Sequence, residues 1–305
     1  MSPRKARRAL VERRERASSL RADLALLGVT AIWGFTFPAV QLALVQVRPL
    51  TFLTARFALA AVALLVVFRG RVFRIGGRGL LAALLLGLCL TSGSVLQTYG
   101  LTITTASKSA FITALYVVIV PLVAAVVERV RLRASSVIAV LLAIAGVYLL
   151  TSPSVSRLNL GDWLTLGCAF AFGLHILITE AAAPDHDPVA LNFWQITFTT
   201  GFCALAMAPA WRPVFPVSFW TITALAVTGL LATALAFGIQ IWAQRETSAT
   251  HAAIVFTGEP VFAALFAGWI QGAWLGRAGV LGAALIIAGM LAAQVGARPR
   301  PRGTA

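Results

Sequence analysis

Residues 247–271 read TSATHAAIVFTGEPVFAALFAGWIQ. The run is apolar and long enough to cross a bilayer, because about 20 residues rising ~1.5 Å each span a hydrocarbon core of about 30 Å. Near its middle stands Glu259, a carboxyl group that is costly at membrane depth. Pro260 follows at once. Proline lacks a backbone N–H and crowds the preceding turn, so the helix is expected to break where the acid sits. An ionisable residue on a broken apolar helix points to function by default.

The chain around this stretch has the same character. It is 59% hydrophobic and 11% charged, against roughly one quarter charged in a soluble domain, which marks an integral membrane protein. Apolar windows of about 20 residues fall at 22–45, 49–68, 79–101, 106–127, 134–152, 161–182, 188–209, 218–243, 248–271 and 276–296. Ten windows fill nearly the whole chain and leave no soluble domain, so the expected class is all-α and polytopic, with function lodged among the helices.

A net charge of +15 invites a nucleic-acid reading, but the positions of the charges mark sidedness instead. Basic residues crowd 4–21, 69–78, 129–133 and 298–302, all on one side under ten crossings. The other side has the scattered Arg48, Arg157, Arg212 and Arg277. The positive-inside rule then places both termini in the cytoplasm. The basic tails, residues 1–21 and 297–305, would face anionic lipid, and no nucleic-acid partner is expected. The loop at 184–187 departs from the pattern, having neither Lys nor Arg. The basic start followed by an apolar run mimics a secretory signal. That run is too long, and no small-residue cleavage site precedes a soluble domain, so it reads as a retained first span.

No metal or cofactor is expected. Cys89, Cys168 and Cys203 stand singly inside spans at no ligand spacing and read as packing residues. Asp185, His186 and Asp187 look briefly like ligands, but Asp187 before Pro188 is better explained as a helix N-cap with proline at the first helical position.

Sliding the chain against itself uncovers a repeat. At an offset of 139, Asp23, Gly28, Gly34 and Pro49 fall on Asp162, Gly167, Gly173 and Pro188; at 143, Gln97, Tyr99, Ala106 and Gly146 fall on Gln240, Trp242, Ala249 and Gly289. Polar and proline positions agree through successive spans, which chance matching of apolar sequence does not readily give. Each unit holds five spans, an odd number, so the second copy enters from the opposite side. The fold expected is two inverted five-helix repeats, 22–152 and 161–296. Transporters use such symmetry to exchange inward-open and outward-open states.

Two departures from symmetry stand out. Pro121 comes thirteen residues after Lys108, whereas Pro260 comes nine after its mate His251, so the two helix breaks are expected about one turn apart in depth. Glu259 has no carboxylate twin, its counterpart being Tyr116 by the offset or Val120 by the proline.

These residues resemble the drug/metabolite transporter superfamily, in particular its ten-helix bacterial branch with two EamA-type repeats, over about residues 22–293. The resemblance rests on WGFTFP at 33–38, ARF at 55–57, ASKSAF at 106–111 running to LYVVIVP at 115–121, and EPVFAALF at 259–266. It implies an exporter or exchanger of small metabolites, amino acids among them, with a cavity formed by the first, third, fourth, sixth, eighth and ninth spans. One departure is that the family often closes each repeat's fourth helix with Gly-Glu. Here Glu128 follows Val127 in one half, and Gln271 stands in the other.

Each candidate residue has a functional and a structural reading. Glu259 is either a proton-coupling group or a neutral acid locking helices together. Arg56, roughly 10 Å into the second span, either holds a substrate carboxylate bidentately or snorkels and packs. The packing reading fits a helix outside the expected cavity. Lys108 and His251 lie near opposite mouths, as gates or as interfacial side chains. Trp33, Tyr99, Tyr116 and Trp242 are the substrate-binding candidates, with Trp33 and Tyr116 nearest mid-membrane and suited to apolar or cationic groups. Pro121 and Pro260 are the expected helix breaks.

The function expected is secondary transport of a small metabolite, an amino acid or a related amphipathic compound, by alternating access. Protons are the candidate coupling ion, and the setting is the bacterial inner membrane, as monomer or homodimer. The alternative is a polytopic enzyme acting on a lipid-linked substrate, against which no loop is long enough to hold an evident catalytic site.

Overall fold

With no water in the hydrocarbon core, a spanning chain of this pattern satisfies its backbone hydrogen bonds internally, as helix. The computed structural model describes residues 3–104, 106–128, 134–151, 159–208, 218–272 and 274–296. Its helices are α1 (Pro3–Leu44), α2 (Pro49–Phe68), α3 (Gly77–Leu101), α4 (Ala106–Ala114), α5 (Tyr116–Glu128), α6 (Ala134–Thr151), α7 (Leu160–Ala182), α8 (Pro188–Met207), α9 (Phe219–Ala226), α10 (Ala236–Ala243), α11 (Ala249–Phe256), α12 (Glu259–Gln271) and α13 (Arg277–Gly296). A π-helical segment, Val227–Leu235, joins α9 to α10.

Three spans are composite: α4 with α5, α9 through the π segment to α10, and α11 with α12. Among the described residues eight spans are long and apolar enough to cross a membrane, and shorter apolar helices at Ala134–Leu149 and Arg277–Gly289 stand in the fifth and tenth places. Because α1 begins at Pro3, the backbone of the basic N-terminal segment continues the first span as helix. The side chains of residues 1–19, and those of Glu128, residues 129–133, Gln271 and the tail 297–305, lie outside the described residues.

Contacts between loops sort the two faces. Arg71, after the second span, pairs with Asp187 at 3.0 Å, and Arg245, after the eighth, donates to Pro184 O. The acidic 6–7 loop that lacks its own basic residues thus receives them from its neighbours. On the opposite face Thr221 Oγ1 donates to Gln46 Oε1, and Thr104 Oγ1 to Asp162 Oδ1. Asp187 is the N-cap of α8, accepting from Val189 N and Ala190 N. This capping role is the one its position before Pro188 predicts.

The span contacts carry the two-fold relation of the repeats. α3 packs along α7 as α1 packs along α9, the π segment and α10; α1 packs on α12 as α7 packs on α4 and α5. The fifth and tenth spans, α6 and α13, pair with each other. A Cβ on Gly146 would stand 2.6 Å from Gly282 O, and one on its mate Gly289 2.9 Å from Ala139 O. Close backbone approach of this kind is how helices associate in lipid, where burial of apolar surface gives little drive.

The helix breaks correct the sequence reading. In the ninth span α11 ends at Phe256 and α12 starts at Glu259, with Pro260 in its first turn, where no hydrogen bond is lost. In the fourth span the break is at Leu115, and Pro121 sits inside α5. Leu115 and Gly258 are equivalent at the offset of 143, so the two breaks share one depth. Pro121 removes only the bond to Val117 O within a continuing helix, a kink rather than an interruption.

Candidate functional site

A cavity lies between the halves. Its lining follows the repeat: Trp33 with Phe172, Thr36 with His175, Ser94 with Phe237, Gln97 with Gln240, Thr113 with Phe256, and Tyr116 with Glu259; Arg56 and Ile176 complete it. A site built from six mate pairs lies across the axis that relates the two halves. Two of the pairs are equivalent in position and opposite in chemistry, Ser94 and Thr113 of the first half answering Phe237 and Phe256 of the second, whereas Gln97 and Gln240 are alike and Trp33 and Phe172 are both aromatic. The lining therefore combines polar groups with an aromatic patch of Trp33, Phe172, Phe237 and Phe256. Trp33 packs on Phe237 and Phe256 at centroid distances of 5.2 and 5.1 Å.

Glu259 is 8% exposed and is met by its own mate. The Tyr116 hydroxyl lies 3.1 Å from Phe256 O and 3.3 Å from Glu259 Oε2. Phe256 O is one of the last carbonyls of α11, left open by the break. A phenol has one proton to donate, so the two acceptors compete for it. An ionised Glu259 draws the Tyr116 proton. A protonated Glu259 can itself donate to the phenol oxygen, which frees Tyr116 to cap α11.

Arg56 is where the structure departs most from expectation. Its side chain reaches the cavity, adding the second span to the six that the resemblance implies. It also ties helices together, since Nε donates to Thr233 Oγ1 at 2.8 Å. Its mate Gln195 stands one step behind the lining, and its Oε1 accepts from His175 Nε2, 2.9 Å away.

The remaining candidates divide. Trp33 and Tyr116 line the cavity; Tyr99 and Trp242 do not, being 38% and 42% exposed. On a helix, residues two apart point to nearly opposite sides, and the cavity face belongs to Gln97 and Gln240. These two glutamines stand in the repeat alignment itself, two residues from the aromatic candidates. His175, Phe172, Phe237 and Phe256 were also missed. The available signal was position: each is the repeat mate of another lining residue.

At the mouths, His251 Nε2 and Asp23 Oδ1 lie 2.8 Å apart with both residues buried, joining α11 to α1. Glu180 of α7 accepts from Ala249 N, so the start of α11 is held by both first-span helices. The equivalent of Asp23 on the other face is Asp162, held by Thr104 and by a reciprocal cap with Asn159. Lys108 belongs to α4, and its side chain lies outside the described residues. No group of three or more metal-ligating side chains occurs among the described residues.

A second space opens between α5 and α7, lined by Val123, Val127, Leu174, Leu177 and Glu180 among others. At the equivalent place in the other half the helices are closed, with Phe35 packed edge-on against Phe266 at 5.2 Å.

The EamA-like transporter family model matches residues 20–152 and 159–293. An uncharacterized transporter of Archaeoglobus fulgidus is 35% identical over 252 residues, covering 83% of this chain and 79% of its own. The uncharacterized transporter YoaV of Bacillus subtilis is 22% identical over 258 residues, 81% of this chain and 87% of that one. A solved crystal structure has a similar fold, with a TM-score of 0.72 at 19% identity, over 90% of this chain and 97% of that one.

Proposed function

The chain belongs to the EamA-like transporter family, and from that premise we propose that it exports or exchanges a small amphipathic metabolite, an amino acid or a close relative, by proton-coupled alternating access. The setting is the bacterial inner membrane, with both termini in the cytoplasm. The observation that carries this reading is the central cavity lined by repeat mates. A site on the axis between two inverted halves stays in place while the halves exchange conformations, so one site serves both faces.

The chemistry of the walls supports the substrate class. Arg56 suits a carboxylate, through two parallel N–H bonds. Glu259 suits an ammonium group or a proton, and the wall of Trp33, Phe172, Phe237 and Phe256 suits an apolar or aromatic body. The competition of Glu259 and Phe256 O for the Tyr116 proton supports coupling, because loading Glu259 changes how the break between α11 and α12 is held. Closure at α1/α12 and opening at α5/α7 supports alternating access.

The test is counterflow in proteoliposomes loaded with single amino acids, scanning aromatic, aliphatic and charged side chains. Accelerated uptake for at least one apolar or aromatic zwitterion is expected. Failure to move any of them, together with turnover of a lipid-linked substrate, would overturn the transport reading in favour of a membrane enzyme.

A further inference from the structure

The π-helical segment Val227–Leu235 has hydrogen bonds that a regular helix would not offer. In an α-helix nearly every carbonyl is taken by the amide four residues on; a π stretch shifts this register, and such stretches concentrate at functional sites. Here Ala232 O accepts from Trp33 Nε1 at 2.9 Å and Ala234 O from Asn192 Nδ2 at 2.8 Å. Asn192 Oδ1 in turn accepts from Gln195 Nε2, and Gln195 Oε1 meets His175. Thr233 Oγ1 donates to Thr228 O at 2.7 Å, five residues back, and accepts from Arg56 Nε. Three cavity residues on three other helices are thus referred to one nine-residue segment. The equivalent stretch of the first half, residues 84–92, is ordinary α-helix within α3. The device therefore belongs to one half only.

The Thr233 hydroxyl has a single proton, and Thr228 O takes it. A lone pair is therefore left facing Arg56, and the guanidinium is held by Nε. Among the described residues the two Nη groups make no hydrogen bond. A carboxylate in the cavity would meet the guanidinium end-on, through both Nη groups.

We infer that Thr233 is a positioning residue for substrate recognition, set by the π register to fix Arg56 through Nε so that its two Nη groups receive the carboxylate of a zwitterionic substrate. This rests on the reading of Arg56 as the carboxylate anchor.

The probe is phenylalanine, whose carboxylate, ammonium and ring match the three kinds of wall. Its dissociation constant is measured by calorimetry on the purified full chain. T233V keeps the shape and removes the hydroxyl, and it is expected to weaken binding about tenfold, the scale of a hydrogen bond to a charged group. T233S keeps the hydroxyl and should bind within about twofold of wild type. In an R56K background, which retains the charge and lacks Nε, T233V should add less than about twofold, because the two residues act as one unit. The inference is overturned if T233V binds like wild type, if T233S is as weak as T233V, or if T233V costs as much in R56K as alone. The underlying Arg56 reading fails separately, if R56Q binds phenylalanine as tightly as wild type or if the wild-type chain does not bind it.

Discussion

At the α1/α12 interface a Cβ on Gly34 would stand 2.6 Å from Phe262 Cβ and 2.9 Å from two backbone atoms; at the α7/α5 interface one on Gly173 would stand 3.2 Å from Ile119 Cγ2. Gly173 and Ile119 are the repeat mates of Gly34 and Phe262, so the two interfaces are built on the same positions. The next pair of mates widens the difference. Phe35 and Phe266 close on each other, whereas Leu174 and Val123 line an open groove. One register therefore supports a closed and an open arrangement in a single molecule. Under alternating access the second conformation of each half is the one its mate displays.

The comparison extends to the cavity, where the mates Tyr116 and Glu259 differ in kind. E259Q should abolish uptake driven by a pH gradient in proteoliposomes while counterflow continues within about threefold, because glutamine keeps the shape and cannot load a proton. Undiminished gradient-driven uptake in E259Q would remove the coupling role. This is the largest effect expected.

Next in size is the pair G34A and G173A. An added methyl at Gly34 meets backbone that must move, at a cost of about 1–3 kcal/mol, while at Gly173 it meets the end of a side chain. G34A should lower counterflow about tenfold or more and G173A no more than about threefold. Equal losses would mean that the two interfaces are not in different states.

Smaller again is the contact at the mouth. D23A removes the acceptor from the buried pair with His251 and should lower stability by about 1–3 kcal/mol, read as a fall in melting temperature of the purified protein. T104V at the other mouth leaves Asp162 its reciprocal cap with Asn159 and should cost less. A larger fall for T104V would reverse the ranking of the two contacts. The smallest effect is the coupling between Phe35 and Phe266 in a double-mutant cycle of alanines, about 0.5–1.5 kcal/mol. Leu174 and Val123 should show no measurable coupling.

Much of this molecule is legible in its sequence because lipid imposes strict rules: ten apolar windows, a repeat of odd count, and an acid beside a proline in the ninth. The failures have particular causes. Proline is the visible sign of a break, yet the fourth span breaks at Leu115, which carries no such sign, and the matching position is found only through its mate Gly258. The depth of Arg56 along its helix says nothing of the direction in which its side chain points. Residue type favours Tyr99 and Trp242 over Gln97 and Gln240, although a step of two residues turns a helix nearly half around. The π segment left no trace, because its residues are as apolar and as helical in pattern as those of α3.

Under alternating access, equivalent interfaces exchange states around one cavity. Spin labels at residues 127 and 181 report on the α5/α7 opening, and labels at their mates 270 and 42 report on α12/α1. Distances are measured by electron–electron double resonance in nanodiscs, with and without phenylalanine and at two pH values. Opposite changes are expected, the 127–181 distance falling as the 42–270 distance rises. Two distances that widen together, or that stay fixed in a protein that transports, would contradict alternating access.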